Sequence, residues 1–596
     1  MNFQSLLKRF LIWRLRHVQH WHFVLLLSVV VGFASGLVAV IIKNSVHLIE
    51  GLLTRSFVHD YHNYLYHNYL YFAYPIVAIS LAYIIIKHLI HKPIRMGVPT
   101  ILYAISKRNG IMRRHHMFSS IITSALTVGF GGSVGLEAPT AISGSAIGSN
   151  LGRLLHMNYK TRTLLIGCAA AGTVASIFNA PIAGIIFAIE VLMLDLTMAS
   201  LIPLLMASVS AAITSQLFLG DDTLFHFSLQ EMFTLADLPF YIGLGFVSGL
   251  VSLYFTKMNL WISERFAKIQ KKRNKLIVGG LVLGALVFVL PPLYGEGYTH
   301  INALVEGDFN RILENSFFYD YRDNIWMVIA FMAALVFFKT IATSVTLSAG
   351  GVGGIFAPAL FIGSSMGFVF ARLCNMLGLH PVSESNFTLA GMAGLMAGVM
   401  HAPLTAIFLI AEITSGYGLF IPLMMTASVA YLTVKYFFPH SVFTSKLAKR
   451  GELMTHHKDK AILSRMKLEK FAEKDLCCVQ PEMSLRELVK VVAESKRNIF
   501  PVVDESNTFL GIIALDDIRG IMFDQDLYDS ESVATLMRAP LATLSCRDKM
   551  EKVMQQFKET GAWNLPVLNN GKYVGYISKA KLFSIYRRML VEVSED

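Results

Sequence analysis

The apolar residues of this chain are concentrated in its first three quarters. Long apolar runs follow one another from residue 22 to about residue 438, and those at 22–42, 70–90 and 325–345 approach the roughly 20 residues that a helix needs to cross a bilayer. Other runs are interrupted by glycine and proline, which membrane proteins tolerate only where the broken backbone is buried in protein or lines a cavity. The pattern predicts a mostly α-helical, multi-pass membrane protein with broken helices.

The pattern changes at both ends of this region. The first residues mix basic side chains with Trp13 and Trp21, which is typical of an amphipathic helix lying on a membrane surface. After the last apolar run, β-branched strands and polar helices indicate a soluble α/β part. The predicted domains are a cytoplasmic amphipathic helix (1–21), a membrane domain (22–450), a linker (451–465) and two soluble units (466–528 and 529–596).

The membrane region contains an internal duplication. The segment GGSVGLEAP at 131–139 matches GGVGGIFAP at 350–358, 219 positions later. A second pair follows in the same order, NAPIAGIIFAIEV at 179–191 and HAPLTAIFLIAEI at 401–413, 222 positions apart. Two motifs repeated in order at nearly one spacing predict that the membrane domain consists of two related halves.

Each half, at about 70–220 and 240–438, contributes a glycine-rich break followed by a helix that starts near a proline, Pro139 or Pro358. The start of such a helix offers unpaired amide groups and the positive end of the helix dipole, which attract anions. If the halves have inverted orientations, both starts converge on one point in mid-membrane, where transporters of this construction bind their substrates. We therefore expect an anion site there.

One carboxylate, Glu137, lies within the first break. A charged group at membrane depth is a functional candidate by default. No lysine or arginine occurs in 129–149 or 350–364, which suits conduction because a buried full positive charge would hold an anion too tightly to release it.

Composition limits the other classes of function. The chain is 54% hydrophobic and 15% charged, with a mean hydropathy of +0.53, which is too apolar for a soluble protein of 596 residues. Its net charge of +12 fits the positive-inside bias and contact with anionic membrane lipid, so no nucleic-acid partner is expected. No catalytic constellation and no metal-ligand spacing of cysteine or histidine is evident, so neither an enzyme nor a cofactor is predicted.

The soluble part carries a second duplication. Residues 479–503 match residues 544–568, 65 positions later, and after one fewer loop residue 510–518 match 574–582. Each unit is predicted as a helix, two strands and a closing helix. Neither unit alone would bury its sheet, so we expect the two to pair.

With these motifs in place, the chain resembles the CLC family of chloride channels and chloride/proton antiporters with a C-terminal pair of CBS domains. KPIRMGVPTIL (92–102) is similar to the family's G-S-G-I-P element, GLEAP (135–139) to G-[K/R]-E-G-P, and GIFAP (354–358) to G-x-F-x-P. SVFTSKLAKRG (441–451) resembles the end of the last membrane helix, which carries the inner-gate tyrosine. The four motifs fall in the family's order.

The resemblance implies a homodimer in the plasma (inner) membrane, with cytoplasmic CBS domains and a separate pore for chloride or another small anion in each subunit. Glu137 would be the gate, a carboxylate that occupies the outer anion site and leaves it when protonated. The positions that would bind the anion are Met96, Gly97, Val98, Leu136, Ile355, Phe356 and Phe443.

Two departures concern the central anion. Met96 stands where the family usually has a serine hydroxyl, after Arg95, and Phe443 replaces the tyrosine, so both expected side-chain donors are absent. This predicts weak central binding by amides alone. Met96 resembles the fluoride-handling branch of the family whereas the Phe356 motif resembles the chloride branch, and we favour chloride.

A further departure bears on proton coupling. Val191 occupies the position where antiporters of the family often carry a proton-transferring glutamate, and an apolar side chain cannot relay protons. A passive channel is therefore favoured, with a chloride/proton antiporter as the alternative, in which Asp195 could substitute. Glu190 and its repeat mate Glu412 are interpreted as structural residues that cap or bridge helices.

CBS pairs of related proteins often bind adenine nucleotides through a hydroxyl and an acid on the closing helix. The first unit has Asp517 but Ala514 in place of the hydroxyl, and the second has Ser578 but Lys581 in place of the acid. A structural or dimerising use is favoured over nucleotide sensing. Two less favoured alternatives for the whole chain are a nucleotide-sensing membrane scaffold and a carrier for a cation or organic solute.

Overall fold

Helices form nearly all of the apolar region. The computed structural model describes residues 3–57, 64–90, 97–193, 198–220, 233–308, 310–313, 316–321, 323–414, 416–445, 448, 466 and 468–594. Within them, eight helices are long and apolar enough to cross a membrane, and the helices Pro181–Glu190 and Pro403–Ile413 are apolar but shorter. The chain divides into two compact units, Met1–Leu453 and Met454–Asp596.

The first unit has eighteen helices in its described part. They are α1 (Phe3–His17), α2 (His20–Phe57), α3 (Tyr64–Ile85), α4 (Val98–Lys107), α5 (His116–Gly129), α6 (Glu137–Leu154), α7 (Tyr159–Phe178), α8 (Pro181–Glu190), α9 (Met198–Leu219), α10 (Leu238–Lys268), α11 (Lys272–Val289), α12 (Tyr298–Glu306), α13 (Asn310–Leu313), α14 (Ile325–Ala349), α15 (Phe356–Met376), α16 (Glu384–Met400), α17 (Pro403–Ile413) and α18 (Phe420–Phe437).

The duplication seen in the sequence extends to backbone detail. Helices α5 to α9 correspond in order to α14 to α18. Helix α7 ends at Asn179 and α16 ends at His401, both in the left-handed region with φ of 54° and 58°. The next helix starts at a proline in each half, because proline suits the first turn of a helix, where its missing N–H is not needed.

Small residues let the helices of each half approach closely. A Cβ atom added at Gly148 would collide with the carbonyl oxygen of Leu165 on α7, and one added at Gly367 would collide with that of Phe387 on α16. These glycines are equivalent in the repeat, 219 positions apart. Helices α6 and α15 therefore have the same close support from the helix that follows each of them.

The second unit is α/β, as the sequence predicts. Its strands are β1 (Ile499–Val503), β2 (Phe509–Ala514), β3 (Leu544–Ser545), β4 (Asn564–Asn569) and β5 (Lys572–Ser578), and its helices are α19 (Leu485–Glu494), α20 (Leu515–Ile518), α21 (Val533–Leu536), α22 (Met550–Thr560) and α23 (Lys579–Ser594). Strands β1 and β2 are antiparallel, and β4 lies between β3, which is parallel to it, and the antiparallel β5.

The two halves of this unit pair in a symmetric way. Thr508 bridges Lys572, which joins the β1–β2 turn to the β4–β5 turn at equivalent positions. Glu473, near the start of the first half, pairs with Tyr576 of the second, and Arg538, near the start of the second half, pairs with Ile512 of the first. Each half thus completes the sheet edge of the other, as expected for units that cannot bury a sheet alone.

Candidate functional site

The two glycine-rich breaks of the membrane unit meet directly. The N–H of Gly135 donates to the carbonyl of Gly354 at 3.0 Å, and the N–H of Gly354 donates back at 2.7 Å. This antiparallel bridge joins equivalent positions of the repeat. The convergence predicted from the duplication is therefore present in the structure.

The carboxylate of Glu137 lies at this crossing and is 1% exposed. A Cβ atom added at Gly354 would lie 3.1 Å from its Oε2, and one added at Gly135 would overlap the carboxylate, so the two glycines make room for it. The phenol of Tyr298 donates to Oε1 at 2.7 Å. Within the described residues Oε2 has no hydrogen-bond partner.

The starts of α6 and α15 flank the carboxylate. The preceding residues, Leu136 and Ile355, accept from the N–H groups four residues on, at 3.1 and 3.0 Å. The first amides of a helix have no partner inside the helix, and those of Phe356 and Ala357 are buried here. The Phe356 ring packs on Phe178 and Phe187, so the part of Phe356 available to an anion is its backbone.

The amide of Leu136 is already engaged. It donates to Oε1 of Glu296 at 3.0 Å, so an anion could use this amide only if Glu296 moved away. Neither Glu296 nor Tyr298 belongs to the motifs that the sequence singled out. The signal that could have found them is a carboxylate between two glycines, GEGY at 295–298, inside an otherwise apolar region.

The other predicted anion-binding residues have different places. Helix α4 begins at Val98 after Gly97, whose φ is +78°, and packs against α6. Phe443 is buried in the same apolar core as Ile355 and Phe356. Met96 lies outside the described residues, as do Arg95 and Asp195.

Glu190 and Glu412 each bind the start of the other half's short helix. Glu190 accepts from the amides of Leu404 and Thr405 at 3.2 and 2.8 Å. Glu412 accepts from the amides of Ile182 and Ala183 at 2.9 and 2.7 Å. A carboxylate at a helix start compensates the unpaired amides and the dipole. Val191, next to Glu190, is 5% exposed and offers no proton-carrying group.

The two residues proposed for nucleotide binding have partners within the soluble unit. Asp517 pairs with Arg538 at 2.8 Å, and the hydroxyl of Ser578 donates to Glu473 at 3.1 Å. Lys581, the equivalent of Asp517, approaches Glu473 at 3.8 Å. The two equivalent ion pairs therefore have their charges swapped. In the first half the closing helix carries the acid, Asp517, and in the second half it carries the base, Lys581.

Comparison with known proteins agrees with this architecture. The family model described as voltage gated chloride channel matches residues 76–435, and the CBS domain model matches 468–524 and 533–588. A ClcB-like chloride channel protein of Ralstonia nicotianae is 29% identical over 365 residues, 60% of this chain and 81% of that protein. The H(+)/Cl(-) exchange transporter ClcA of Vibrio cholerae is 26% identical over 416 residues, 68% of this chain and 84% of that protein.

A solved structure extends the likeness of the fold to almost the whole chain. The crystal structure of a eukaryotic CLC transporter superimposes with a TM-score of 0.59 at 16% identity, covering 94% of this chain and 97% of that one. The family model alone spans more than half of the sequence. The chain therefore belongs to the CLC family of voltage-gated chloride channels and transporters and carries a C-terminal pair of CBS domains.

Proposed function

We propose that this protein is a chloride/proton antiporter in which Glu137 is both the gate of the anion path and the group that takes up the proton. The observation that carries the proposal is the position of the Glu137 carboxylate, buried where the starts of α6 and α15 meet and held by the Tyr298 phenol at 2.7 Å. Those starts attract an anion, and the carboxylate is a tethered anion competing for the same amides. Protonation removes the negative charge of Glu137 and with it the attraction to the helix starts.

Proton coupling is supported by the relatives. ClcA of Vibrio cholerae, which aligns with two thirds of this chain, is named an H(+)/Cl(-) exchange transporter. The sequence on its own favours a passive channel because Val191 is apolar. The similarity to a named exchanger supports the alternative of antiport better, and some CLC branches exchange protons without a glutamate at this position.

A passive chloride channel is the second candidate, and specific observations favour it. Val191 carries no proton, and Glu190 beside it is held by three hydrogen bonds at the start of α17. A glutamate so engaged is poorly placed to carry protons from the inner side. An antiporter would need another route from the inner solution to Glu137.

One measurement separates the two candidates. Purified protein in liposomes is given opposed chloride and proton gradients, and the reversal potential is read. A passive chloride pore reverses at the chloride equilibrium potential whatever the proton gradient, whereas an antiporter reverses at a potential displaced by that gradient. Glu137→Gln should abolish the displacement and most of the pH dependence of chloride flux, and an unaltered pH dependence would exclude Glu137 as the gate.

We propose chloride as the main anion, held chiefly by backbone amides. The first-turn amides of Phe356 and Ala357 and the start of α4 at Gly97 and Val98 supply donors without a full positive charge. Met96 and Phe443 supply no O–H donor, so central binding should be weak. Fluoride transport is the alternative, tested by replacing chloride with fluoride in the flux assay.

The charge pattern supports an orientation in the plasma (inner) membrane. Basic residues gather where α5 and α11 begin, at Arg113 and Arg114 and at Lys271 to Arg273, which indicates the cytoplasmic side. Both helices run away from that side, so the 290–297 connection and Glu137 are reached from the outside. The CBS pair would then be cytoplasmic, following the inward end of the membrane domain.

We propose a homodimer formed through the faces of α8 and α17. These helices have 10 and 11 residues, too few to span a bilayer, and expose Ile182 and Leu404. Because helices of this length do not span a bilayer alone, a second subunit packed on them would cover the face that lipid would otherwise cover. Cross-linking of single cysteines at Ile182 in membranes tests this interface.

For the CBS pair we propose a structural role. Asp517 and Ser578 already bind Arg538 and Glu473, so neither is ready to receive a ribose. Nucleotide sensing is the alternative, and ATP titration of the full-length protein by calorimetry distinguishes them. Absence of binding heat at millimolar ATP favours the structural role.

A further inference from the structure

A short turn brings two polar side chains to the gate from one side. Gly295, Glu296, Gly297 and Tyr298 follow one another between α11 and α12, and Tyr298 reaches the carboxylate of Glu137 while Glu296 reaches the amide of Leu136 next to it. Gly297 has φ +88°, and a Cβ atom there would meet the ring of Phe361 at 2.5 Å, so only glycine fits.

A buried lysine fixes this turn. Lys339 on α14 is 0% exposed, and its Nζ donates to the carbonyls of Leu293 at 3.2 Å and Gly295 at 3.0 Å while facing the ring of Phe361. Removing such a group from water is costly unless it is hydrogen-bonded, so its contacts hold the turn firmly. The position of Glu296 is therefore set by the core of the membrane unit.

The charged groups around Glu296 lie on four helices and on the connection before α12. Glu137 on α6 carries a like charge, and Lys43 on α2 carries the charge opposite to that of both carboxylates. Lys43 itself donates to the carbonyl of Ile177 at 2.8 Å and not to either acid. The other titratable and charged groups facing this cluster are Glu50 on α2, Tyr294 in the connection, Tyr298 on α12 and Lys339 on α14.

We propose that Glu296 is a positioning residue for the gate, a second carboxylate that holds the Leu136 amide and whose negative charge sets the pH at which Glu137 releases the anion path. Two carboxylates at close range resist joint ionisation, so a proton is shared between them more readily than either would take it alone. Glu296 also competes with an incoming anion for an amide at the start of α6. The inference rests on the proposed gating role of Glu137.

The sign of the effect follows from the charges. Glu296→Gln keeps an oxygen that can accept from the Leu136 amide but removes the charge beside Glu137. Protonation of Glu137 then no longer relieves repulsion from a neighbouring negative charge. The pH of half-maximal chloride flux should therefore fall by about one unit or more. Lys43→Gln removes a positive charge and should move the half-maximal pH upward.

The experiment measures chloride flux from liposomes between pH 4 and pH 8 for the full-length chain, Glu137→Gln, Glu296→Gln and Lys43→Gln. The matched control is Glu306→Gln, an exposed carboxylate at the far end of α12, which should leave the profile unchanged. Opposite shifts for the Glu296 and Lys43 variants support the proposal. A structural role for Glu296 would change the amount of folded protein and the maximal flux without moving the half-maximal pH.

The failures are distinguishable. If Glu137→Gln removes the pH dependence but the Glu296 variant follows the profile of the unaltered chain, the gating proposal stands and this inference is overturned. If Glu137→Gln leaves the pH dependence intact, the gating role itself fails. Should the Glu296 variant not fold, the Lys43 variant decides alone, because a profile that does not move upward contradicts the coupling of charges at the gate.

Discussion

The hydrogen bond from Tyr298 to Glu137 offers a direct measure of how the gate is held. Tyr298→Phe removes the only hydroxyl that donates to this carboxylate among the described residues, at 2.7 Å, and leaves the ring in place. Hydrogen bonds to charged groups contribute about 1.5–3 kcal/mol, and about 1.4 kcal/mol corresponds to one pH unit. The donor stabilises the charged form more than the neutral one, so its loss should raise the pH of half-maximal chloride flux by about 1–2 units.

The assay is chloride efflux from liposomes as a function of external pH, on the limb where flux increases as the pH falls. Tyr294→Phe is the matched control. Tyr294 lies in the connection that leads to Tyr298, and its hydroxyl donates at 2.9 Å to the neutral carbonyl of Gly129. That variant loses about 1 kcal/mol of stability and should keep the half-maximal pH. It therefore separates disturbance of the turn from loss of the carboxylate contact.

The reasoning fails if the Tyr298 variant keeps the original half-maximal pH, or if the value moves downward. Either result would mean that Glu137 is not held as a charged group by this phenol in the resting protein. Equal shifts in the Tyr294 and Tyr298 variants would trace the effect to the turn and not to the hydrogen bond.

Three further outcomes are expected. Met96→Ser adds an O–H donor at the position proposed for the central site, so chloride measured by calorimetry should bind about three- to tenfold more tightly, and unchanged affinity would mean that the amides or Arg95 dominate. Thr405→Val removes a hydroxyl that donates to Glu190 at 2.7 Å and should cost about 1 kcal/mol of stability, seen as a lower melting temperature in detergent. Asp517→Ala breaks a half-exposed ion pair with Arg538 and should cost less than about 1 kcal/mol while leaving chloride flux with and without ATP unaltered.

The contact between the two glycine-rich breaks could be predicted because they are equivalent segments of a duplicated sequence. Segments that are equivalent by sequence and cross at the axis relating the two halves meet at equivalent positions, and Gly135 does pair with Gly354. The predicted structural role of Glu190 and Glu412 has the same origin. Each glutamate ends one short helix and caps the other, which a single half could not do.

The surroundings of the gate could not be obtained from the motifs. Glu296 lies 160 positions from Leu136, outside both repeats' matched segments, and only the packing of α12 and α14 brings it there. Lys339 was detectable as a charge inside an apolar run, but its partners are backbone carbonyls, which any sequence could provide. Long-range contacts of this kind depend on the fold and not on local pattern.

The second unit shows another limit of prediction from sequence motifs. Lys581 in place of an acid suggests that the second half has lost a binding residue. In the structure Glu473, near the start of the first half, brings an acid to Ser578. A motif confined to one helix does not include groups that another segment supplies. An acid that is missing from the motif can therefore still lie beside it in the structure.

The arrangement at the crossing fits the proposed gating, in which a carboxylate closes the anion path and can still leave it. Separating a buried ion pair costs about 3–5 kcal/mol, which would fix a gate clamped by lysine. Lys43 and Lys339 instead donate to the carbonyls of Ile177 and Gly295, at 2.8 and 3.0 Å, and neither lysine is hydrogen-bonded to Glu137. The carboxylate is held by one phenol and by helix dipoles, contributions that a single proton or an arriving anion can replace.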